Sequence, residues 1–574
     1  MRSTGPVIDA QQVSVRYPAR GSWVGDKVTI RAGAGERILL LGPSGCGKST
    51  LLLALTGLIP ASIDAEPRGT VECTGVDTRV VRAGQLAESV GVVFQDPDAQ
   101  IVTATLLDEV CFGLENLLVP AELIEERALD ALRHVGLADT RDEALRSPAE
   151  LSGGNRQRLA IACALALNPA VLVLDEPTAN LDPVAAAEFY QTLNALAGPE
   201  RTIIMVEHDL DDALEVADRV IVLSLTGTVL HDGTPHEVIG VHARALLDLG
   251  IWLPTATRLA LRLGLDTGPE SVLPLSVAEL AESAIDTAGR LHVAERPASP
   301  MPPDEPRSGV HVCVDHARVN LGKKTILGDI SLDVHAGEFL AVAGVNGAGK
   351  STLTRAIAGL IPLASGTVSL RGVSLTSLTA RDLSAQIEYV FQNPEHQFLT
   401  PTVREELAYG LRVRGVGASE ITDRVGEMLN RFDLHRYAAV NPFLLSHGEK
   451  RRLSVATALI TQPQILILDE PTFGQDHERA SEIIAHVDEL NVSGITILMV
   501  THDMQLIADH AHRVALLADG ELLDVGPTDL LGDDGLIRAA GLRTPPIHRI
   551  ARALTAHDPA WQHIYRTTQV SEAP

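Results

Sequence analysis

The sequence predicts an α/β fold that is built twice in one chain. Short runs of Leu, Ile and Val, namely RILLLG, VLVLDE and TIIMVEH, alternate with longer stretches of helical periodicity. Continuous apolar runs of this kind are typical of parallel strands buried between helices. The same runs return in the second half as FLAVAG, ILILDE and TILMVTH. We therefore expect two tandem domains, each with a mainly parallel sheet and flanking helices.

Other segments repeat in the same order. GPSGCGKST returns as GVNGAGKST, VVFQDPDAQ as YVFQNPEHQ, and LSGGNRQRL as LSHGEKRRL. Between the two copies, the proline-rich stretch RPASPMPPDEPRSG has no apolar periodicity and is typical of an extended linker. The sequence thus predicts a first domain with a C-terminal extension at 1–292, a linker at 293–309, and a second such domain at 310–574.

Composition and charge exclude several classes of protein. The 574 residues include 47 Lys and Arg against 74 Asp and Glu, which gives a net charge of −27. Such a chain lacks the basic surface that gathers nucleic-acid phosphates, so no nucleic-acid partner is expected. The five cysteines stand far apart and indicate neither a disulfide framework nor a zinc site. Without a signal-peptide pattern or an apolar run of about 18 residues, we expect a cytosolic chain that does not span a membrane.

Each half contains one glycine-rich loop of the form GxxxxGK[ST] between an apolar strand and a helix. Its backbone N–H groups curl around a phosphate, its lysine reaches the β- and γ-phosphates, and its hydroxyl binds Mg²⁺. Cys46 occupies a variable position of this pattern, where we expect it to serve only as a small residue. A redox role for its thiol is the alternative. The predicted phosphate-binding residues are Gly42, Pro43, Ser44, Gly45, Cys46, Gly47, Lys48, Ser49 and Thr50, and then Gly344, Val345, Asn346, Gly347, Ala348, Gly349, Lys350, Ser351 and Thr352.

A pair of acidic residues ends the strand VLVLDE and its repeat ILILDE. Asp175 and Asp469 are suited to hold Mg²⁺, and the following Glu176 and Glu470 to polarise an attacking water. The carboxyl ends of parallel strands are where α/β folds bind ligands. A solvated acidic turn is the alternative, and the repeated position after a phosphate loop favours the catalytic interpretation.

The order of phosphate loop, FQ loop, LSGG-type signature, LDEPT and a strand-end histidine resembles the ATPase domains of ABC proteins over nearly the whole chain. The resemblance implies a helical signature subdomain, ATP and Mg²⁺ as cofactors, and two sites that the domains of this one chain complete for each other. It implies catalytic roles for His208 and His502. The alternative is that these two histidines are buried core residues without a catalytic role. The first site would comprise Tyr17, Lys48, Ser49, Gln95, Asp175, Glu176, Asp182 and His208 with Ser446 and Gly448; the second would comprise Lys350, Ser351, Gln392, Asp469, Glu470, Asp476 and His502 with Ser152, Gly153 and Gly154. The implied metal ligands are Ser49, Gln95 and Asp175, and Ser351, Gln392 and Asp469.

Three departures from the family pattern distinguish the two sites. The second signature, LSHGE, has His447 and Glu449 where the family has Gly and Gln. Leu321 stands where an aromatic residue comparable to Tyr17 is expected, and the loop FGQD that contains Asp476 is unusual. Since both sites keep their hydrolytic residues, we expect two competent sites that differ in rate.

The segments that begin at Gln95 and Gln392, QDPDAQIVTATLLDEVCFGLEN and QNPEHQFLTPTVREELAYGLR, share a Pro-x-x-Gln spacing and the pairs Thr103/Thr400 and Glu109/Glu406. They resemble the Q-helices of energy-coupling-factor ATPases. In that family this helix lines a groove that receives Arg-bearing helices of an integral membrane transmembrane (T) subunit, while a separate membrane (S) subunit binds the cargo. The resemblance implies a protein on the cytoplasmic face of the membrane that powers import of a vitamin, vitamin precursor or metal ion. The acidic residues expected in the groove are Asp98, Asp108, Glu109, Glu395, Glu405 and Glu406, for which a solvated acidic helix is the alternative.

Three other functions remain open. A soluble tandem ABC ATPase acting on ribosomes or nucleic acid usually has a long charged linker or zinc modules, which this sequence lacks. The tandem ATPase of a sugar importer usually has a degenerate second domain, whereas Glu470 and His502 are present here. A bare ATP-dependent switch or scaffold is the third.

Overall fold

The computed structural model describes residues 5–18, 22–81, 84–151, 153–178, 181, 183–197, 201–266, 268, 271–286, 291–293, 309–322, 324–472, 477–556 and 558–572. The chain divides into two compact units, Met1–Leu291 with Glu572–Pro574, and His292–Ser571. Most of the predicted linker, residues 294–308, lies outside the described residues, as do the predicted site residues Ser152, Asp182 and Asp476.

The first unit contains two sheets. Its strands are β1 Ile8–Arg16, β2 Trp23–Ala32, β3 Arg37–Leu41, β4 Glu66–Cys73, β5 Val76–Asp77, β6 Val90–Val93, β7 Val171–Asp175, β8 Thr202–Val206, β9 Arg219–Leu223 and β10 Val229–Gly233. An antiparallel sheet has the order β2-β1-β4-β5, and a six-stranded sheet has the order β10-β9-β3-β8-β7-β6. The second sheet is parallel except for β10. Its β3, β7 and β8 are almost wholly buried, as their continuous apolar sequences predict.

Helices cover this parallel sheet and extend beyond it. They are α1 Lys48–Leu55, α2 Leu58–Ala61, α3 Leu106–Asn116, α4 Ala121–His134, α5 Arg141–Ala144, α6 Gly153–Ala166, α7 Pro183–Ala197, α8 Leu210–Ala213, α9 Val241–Asp248, α10 Thr255–Arg262 and α11 Val277–Asp286. Short 3₁₀ turns span Pro97–Ala99 and Pro148–Glu150, and a π turn spans His236–Gly240. Helices α3 to α6 pack together as the helical subdomain that carries the first signature.

The second unit repeats this plan. The remaining strands are β11 Leu291–Val293, β12 Val310–Leu321, β13 Lys324–His335, β14 Phe339–Ala343, β15 Ser365–Leu370, β16 Val373–Ser374, β17 Ile387–Val390, β18 Ile465–Asp469, β19 Thr496–Val500, β20 Arg513–Ala518, β21 Glu521–Pro527 and β22 Val570–Glu572. The two sheets have the orders β13-β12-β15-β16 and β17-β18-β19-β14-β20-β21. This order matches that of the first unit strand for strand, and the prediction of two α/β domains with mainly parallel sheets is confirmed.

The helices of the second unit follow in the same sequence. They are α12 Lys350–Ile357, α13 Ala380–Gln386, α14 Val403–Val413, α15 Ala418–Arg431, α16 His447–Leu459, α17 His477–Val492, α18 Met504–His510, α19 Asp534–Ala539 and α20 Pro546–Thr555. 3₁₀ turns span Leu375–Ser377, Pro394–His396, His435–Tyr437, Pro442–Leu444, Thr528–Gly532, Pro559–His563 and Thr567–Gln569. Among the described residues, none of these helices, nor any in the first unit, has both the length and the apolar character needed to cross a membrane.

A bulge in the antiparallel sheet is conserved between the two units. Gln12 in β1 has a φ of 52°, and Gly69 in β4 approaches its backbone so closely that a Cβ atom would lie 2.4 Å from the Gln12 oxygen. His316 in β12 has a φ of 47°, and a Cβ on Gly366 would lie 2.2 Å from the His316 oxygen. Only glycine fits these two positions.

The C-terminal extension of each unit is attached to the helix that follows the strand-end histidine. Asp211 in α8 accepts hydrogen bonds from the backbone nitrogen of Thr255, at 2.9 Å, and from its hydroxyl, at 3.0 Å. Gln505 in α18 accepts one from the backbone nitrogen of Ile547 at 3.0 Å. Helices α10 and α20 are therefore anchored near the candidate sites by different side chains.

Candidate nucleotide sites

Both glycine-rich loops hold their lysine in the same way. Lys48 and Lys350 are the first residues of α1 and α12, and both are buried. Lys48 Nζ donates to the carbonyl oxygen of Gly42 at 2.7 Å, and Lys350 Nζ donates to that of Gly344 at 2.7 Å. Each lysine also reaches the next carbonyl, that of Pro43 or Val345.

The helices behind these loops begin without a side-chain cap. Gly47 and Gly349 occupy the N-cap positions with φ of 106° and 101°, and neither of these two residues makes a side-chain cap hydrogen bond. A helix N-terminus of this kind offers free donors and a partial positive charge. Together with the lysines, the loops can bind an anion such as a nucleotide phosphate.

The aspartates at the ends of β7 and β18 lie beside the loop hydroxyls. Ser351 Oγ donates to Asp469 Oδ1 at 3.1 Å, and Tyr389 Oη donates to Asp469 Oδ2 at 3.0 Å. Asp175 Oδ1 is buried and has no hydrogen-bond partner within the described residues. Burial raises the pKa of both aspartates, against the opposing hydrogen bonds of Ser49 and Ser351. A buried carboxylate with an unused oxygen beside a hydroxyl fits a hard divalent cation.

Glu176 is held by two other residues of its own unit. One of its oxygens, Oε2, accepts a hydrogen bond from Gln95 Nε2 at 2.7 Å, and Oε1 lies 2.9 Å from His208 Nε2. Its backbone has a φ of 49°, a left-handed conformation that is uncommon outside glycine. The Glu176 nitrogen donates to the Val206 oxygen at 2.9 Å, which holds this conformation against β8.

Glu470 repeats the arrangement in the second unit. Its φ is 53°, its nitrogen donates to the Val500 oxygen at 2.9 Å, and its Oε1 lies 2.9 Å from His502 Nδ1. The charge of Glu470 raises the pKa of His502 to about 9. Burial by itself would raise the pKa of Glu470, but His502 brings it below its ordinary value. The two side chains thus form an ion pair in which Glu470 is buried and His502 is partly exposed. Gln392 is exposed.

Tyr17 and Leu321, which stand where an aromatic side chain is expected to stack on adenine, differ in burial and contacts. Tyr17 is half-buried against the core of the first unit, and its hydroxyl lies 3.2 Å from Thr50 Oγ1 in the helix of the glycine-rich loop. Leu321 is 55% exposed at the end of β12. Tyr17 therefore adjoins its loop, and Leu321 offers an apolar surface only.

The signature segments lie at the start of α6 and α16. Gly153 and Gly154 open α6, and Gly448 lies in the first turn of α16. Ser446 and Glu449 form a capping box, because the Ser446 hydroxyl accepts from the Glu449 nitrogen and Glu449 Oε2 accepts from the Ser446 nitrogen at 2.8 Å. Glu449, which departs from the glutamine of the family pattern, therefore stabilises the start of its own helix. The sequence pattern S-x-x-E predicts this capping box.

The acidic residues expected in a docking groove do not all face solvent. Glu109 and Glu406 are each 5% exposed. Glu109 Oε2 accepts from the backbone nitrogens of Val102 and Thr103, at 3.0 and 2.7 Å. Glu406 Oε2 accepts from the nitrogen of Thr400 at 2.8 Å and from its hydroxyl at 2.7 Å. The expectation that these two carboxylates meet a partner is wrong; they fix the loop before α3 and α14.

Sequence reasoning also missed a buried carboxyl next to His208. Glu207 Oε1 accepts hydrogen bonds from the nitrogen of Thr178, at 3.1 Å, and from its hydroxyl, at 2.8 Å. Burial raises the pKa of Glu207 to about 8. Since Thr178 follows Glu176 in the LDEPT segment, Glu207 ties that segment to the end of β8. The second unit has Thr501 at the corresponding position.

The chain is similar to ABC proteins over most of its length. The family described as ABC transporter matches residues 26–179 and 327–473. A Methanosarcina acetivorans protein named "Putative ABC transporter ATP-binding protein" is 35% identical over 561 residues, which cover 96% of this chain and 91% of that protein. The "Putative HMP/thiamine import ATP-binding protein YkoD" of Bacillus subtilis is 35% identical over 557 residues, covering 96% of this chain and 97% of YkoD. The solved structure of cbiO1 from Clostridium perfringens, described as part of the ABC transporter complex cbiONQ, has 26% identity, covers 44% of this chain and 98% of cbiO1, and has a TM-score of 0.37. The chain belongs to the ABC transporter family: it is an ATP-binding protein and an ATPase, with two ABC domains in one polypeptide.

Proposed function

We propose that this ATPase powers an energy-coupling-factor importer for a vitamin, vitamin precursor or metal ion. It would act from the cytoplasmic face of the membrane, on a T subunit that is joined to an S subunit. The observation that carries the proposal is an exposed aromatic residue at the same position of α3 and α14, Phe112 in the first unit and Tyr409 in the second. The match to this chain covers 97% of YkoD, whose printed name is "Putative HMP/thiamine import ATP-binding protein". That name supports a vitamin or vitamin precursor as the cargo.

In each unit the roles follow from the contacts of the side chains. Lys48 and Lys350 would bind the β- and γ-phosphates, and Glu176 and Glu470 would accept the proton of the attacking water. His208 and His502 would hold these carboxylates in place. We further propose that Ser446 and Gly448 complete the first site and that Ser152, Gly153 and Gly154 complete the second.

The residues present fit Mg²⁺. Asp175 Oδ1 is buried without a partner in the described part of the chain, and the Ser49 hydroxyl is beside the same carboxyl. Ser49, Gln95 and Asp175 would hold the ion in the first site, and Ser351, Gln392 and Asp469 in the second. When bound, Mg²⁺ neutralises charge on the β- and γ-phosphates.

The docking face consists of exposed apolar residues at equivalent positions of the two units, with an exposed acidic residue beside them in the first unit. Val102 and Leu399, which precede α3 and α14, are 65% and 69% exposed. Phe112 in α3 and Tyr409 in α14 are 49% and 44% exposed. Asp108, in the first turn of α3, is exposed as well. Exposed aromatic side chains beside a charge are typical of protein interfaces, and their repetition supports a membrane partner with a matching helix for each unit.

The test replaces both aromatic residues. The variant Phe112→Asp with Tyr409→Asp should bind ATP as the unchanged chain does, yet lose retention on membranes that contain its transmembrane subunit. Leu225→Asp is the matched control, because Leu225 is 68% exposed but lies between β9 and β10. Retention of the double variant at the unchanged level would contradict the docking face. Sedimentation of the chain with ribosomes instead of membranes would overturn the importer function.

A further inference from the structure

A buried arginine of the second unit connects three parts of its candidate site. Arg451, in the second turn of α16, is 0% exposed. Its Nη1 donates to the backbone oxygen of Phe391, the residue before Gln392, at 2.6 Å. Its Nη2 donates to the backbone oxygen of Glu470. One guanidinium thus joins the signature helix, the Q loop and the residue that carries the candidate general base.

The first unit has no such connection among its described residues. The position equivalent to Arg451 is Gln157 in α6, which is also 0% exposed. Gln157 Nε2 donates to the Phe94 oxygen at 3.3 Å, and Gln157 Oε1 is buried with no hydrogen-bond partner in the part of the chain that the structure describes. The longer arginine therefore makes a contact with the carboxylate-bearing residue that the shorter neutral side chain does not.

Burial of this cation needs a reason, because a buried charge is costly unless it is paired and hydrogen-bonded. Arg451 lies near the carboxylates of Asp469 and Glu470, which supply the opposite charge. Its two bonded carbonyls belong to loops and not to a helix, and Glu470 has a left-handed backbone. The Val500 oxygen holds the nitrogen of this backbone, as the Val206 oxygen holds that of Glu176, and Arg451 adds a second contact at the Glu470 carbonyl oxygen.

We propose that Arg451 is a positioning residue of the second site, which holds the Glu470 backbone and the Q loop in the geometry that hydrolysis requires. The inference rests on the proposed role of Glu470. It assigns the second site a support that has no counterpart among the described residues of the first site. It also makes the signature helix of the second unit part of the framework that holds that unit's own general base.

The test compares turnover with ATP affinity in the full chain. Arg451→Gln, which installs the first unit's residue, should lower kcat by about 10-fold, the worth of a lost charge-assisted hydrogen bond, and change KM for ATP by less than about twofold. Arg451→Lys should recover part of the loss, because an ammonium keeps the charge and one donor. Arg414→Gln is the control: Arg414 also donates to backbone carbonyls, those of Thr461 and Ser384, but its ion pair is with Glu388, which is not one of the predicted site residues.

The outcomes separate this inference from the proposed function. If Glu470→Gln retains unchanged turnover, the role of Glu470 fails. If Glu470→Gln loses turnover but Arg451→Gln keeps its kcat, only the inference fails. A fall in kcat that Arg414→Gln matches, or one that Arg451→Lys does not relieve at all, would also overturn it. Added to Glu470→Gln, Arg451→Gln should lower the residual rate by less than about twofold, since effects on one shared group are not additive.

Discussion

Asp98 and Arg156 form an ion pair of 2.5 Å that joins the turn after the first Q loop to the signature helix α6. Glu395 and Lys450 form the equivalent pair, also of 2.5 Å, in the second unit. Besides Glu109 and Glu406, two more of the six acidic side chains expected to meet a membrane partner are therefore bound within their own domain. The pairs connect the segment next to the docking face with the segment proposed to contact nucleotide.

Loss of the first pair should change stability little. Asp98 is 60% exposed, and ion pairs at the surface contribute about 0 to 1 kcal/mol. We expect Asp98→Asn to lower the free energy of unfolding by less than about 1 kcal/mol and to leave membrane retention unchanged. Thermal unfolding and membrane binding measure the two effects, with Arg156→Gln closing a double-mutant cycle. Loss of retention in Asp98→Asn alone would show that Asp98 meets the partner after all.

Replacement of both candidate general bases should separate binding from hydrolysis. Glu176→Gln with Glu470→Gln keeps the shape of the site but removes the proton acceptor, so turnover should fall on the order of 10² to 10⁴-fold. ATP binding should persist, because Lys48 and Lys350 and the helix N-termini remain. Steady-state phosphate release and equilibrium nucleotide binding check the two statements. Unchanged hydrolysis in an enzyme free of contaminating ATPase would reject both assignments.

The two single variants should be unequal. Glu470→Gln should cost more activity than Glu176→Gln, because the second site has the Arg451 contact and would be completed by the unaltered LSGGN signature. The altered LSHGE signature would complete the first site. Phosphate release from each single variant gives the comparison. Equal losses, or the reverse order, would contradict this ranking.

Local sequence was sufficient for features that depend on local backbone. The glycine-rich loops, Lys48 and the strand-end carboxylates could be predicted because strand, turn and helix follow one another within a few residues. From the sequence, Glu109 is expected to be an exposed helix residue. In the structure its carboxylate is buried because it accepts hydrogen bonds from the backbone nitrogens of Val102 and Thr103. Arg451 stands in the run KRR, and three consecutive cationic residues are typical of an exposed surface. In the structure Arg451 is fully buried. Whether such residues are buried depends on contacts with distant parts of the chain, and sequence periodicity does not predict those contacts.

The glycine in the bulge of the second antiparallel sheet should resist replacement. Gly366→Ala combines a left-handed φ of 82° with a Cβ 2.2 Å from the His316 oxygen. We expect a loss of about 2 to 4 kcal/mol in the stability of the second unit, from backbone strain and overpacking together. Gly372→Ala is the control, since its φ is 79° but no atom lies within 4 Å of the added Cβ. It should cost about 1 kcal/mol. Calorimetric unfolding that shows equal effects would contradict the steric argument.

Glu207 should make the stability of the first unit depend on pH. In the folded chain burial holds its pKa at about 8, against an ordinary value of 4.5. Between these values the folded state binds more protons than the unfolded state, so stability falls as pH rises. Glu207→Gln, which does not titrate and can still accept from Thr178, should therefore gain stability relative to the unchanged chain from pH 5 to pH 8, with no further gain above. Calorimetric melting across this range measures the difference. Glu237→Gln is the control, because Thr234 hydrogen bonds lower the pKa of Glu237, and its effect should stay constant over the same range. A constant difference for Glu207→Gln as well would mean that Glu207 is ionised in the folded chain.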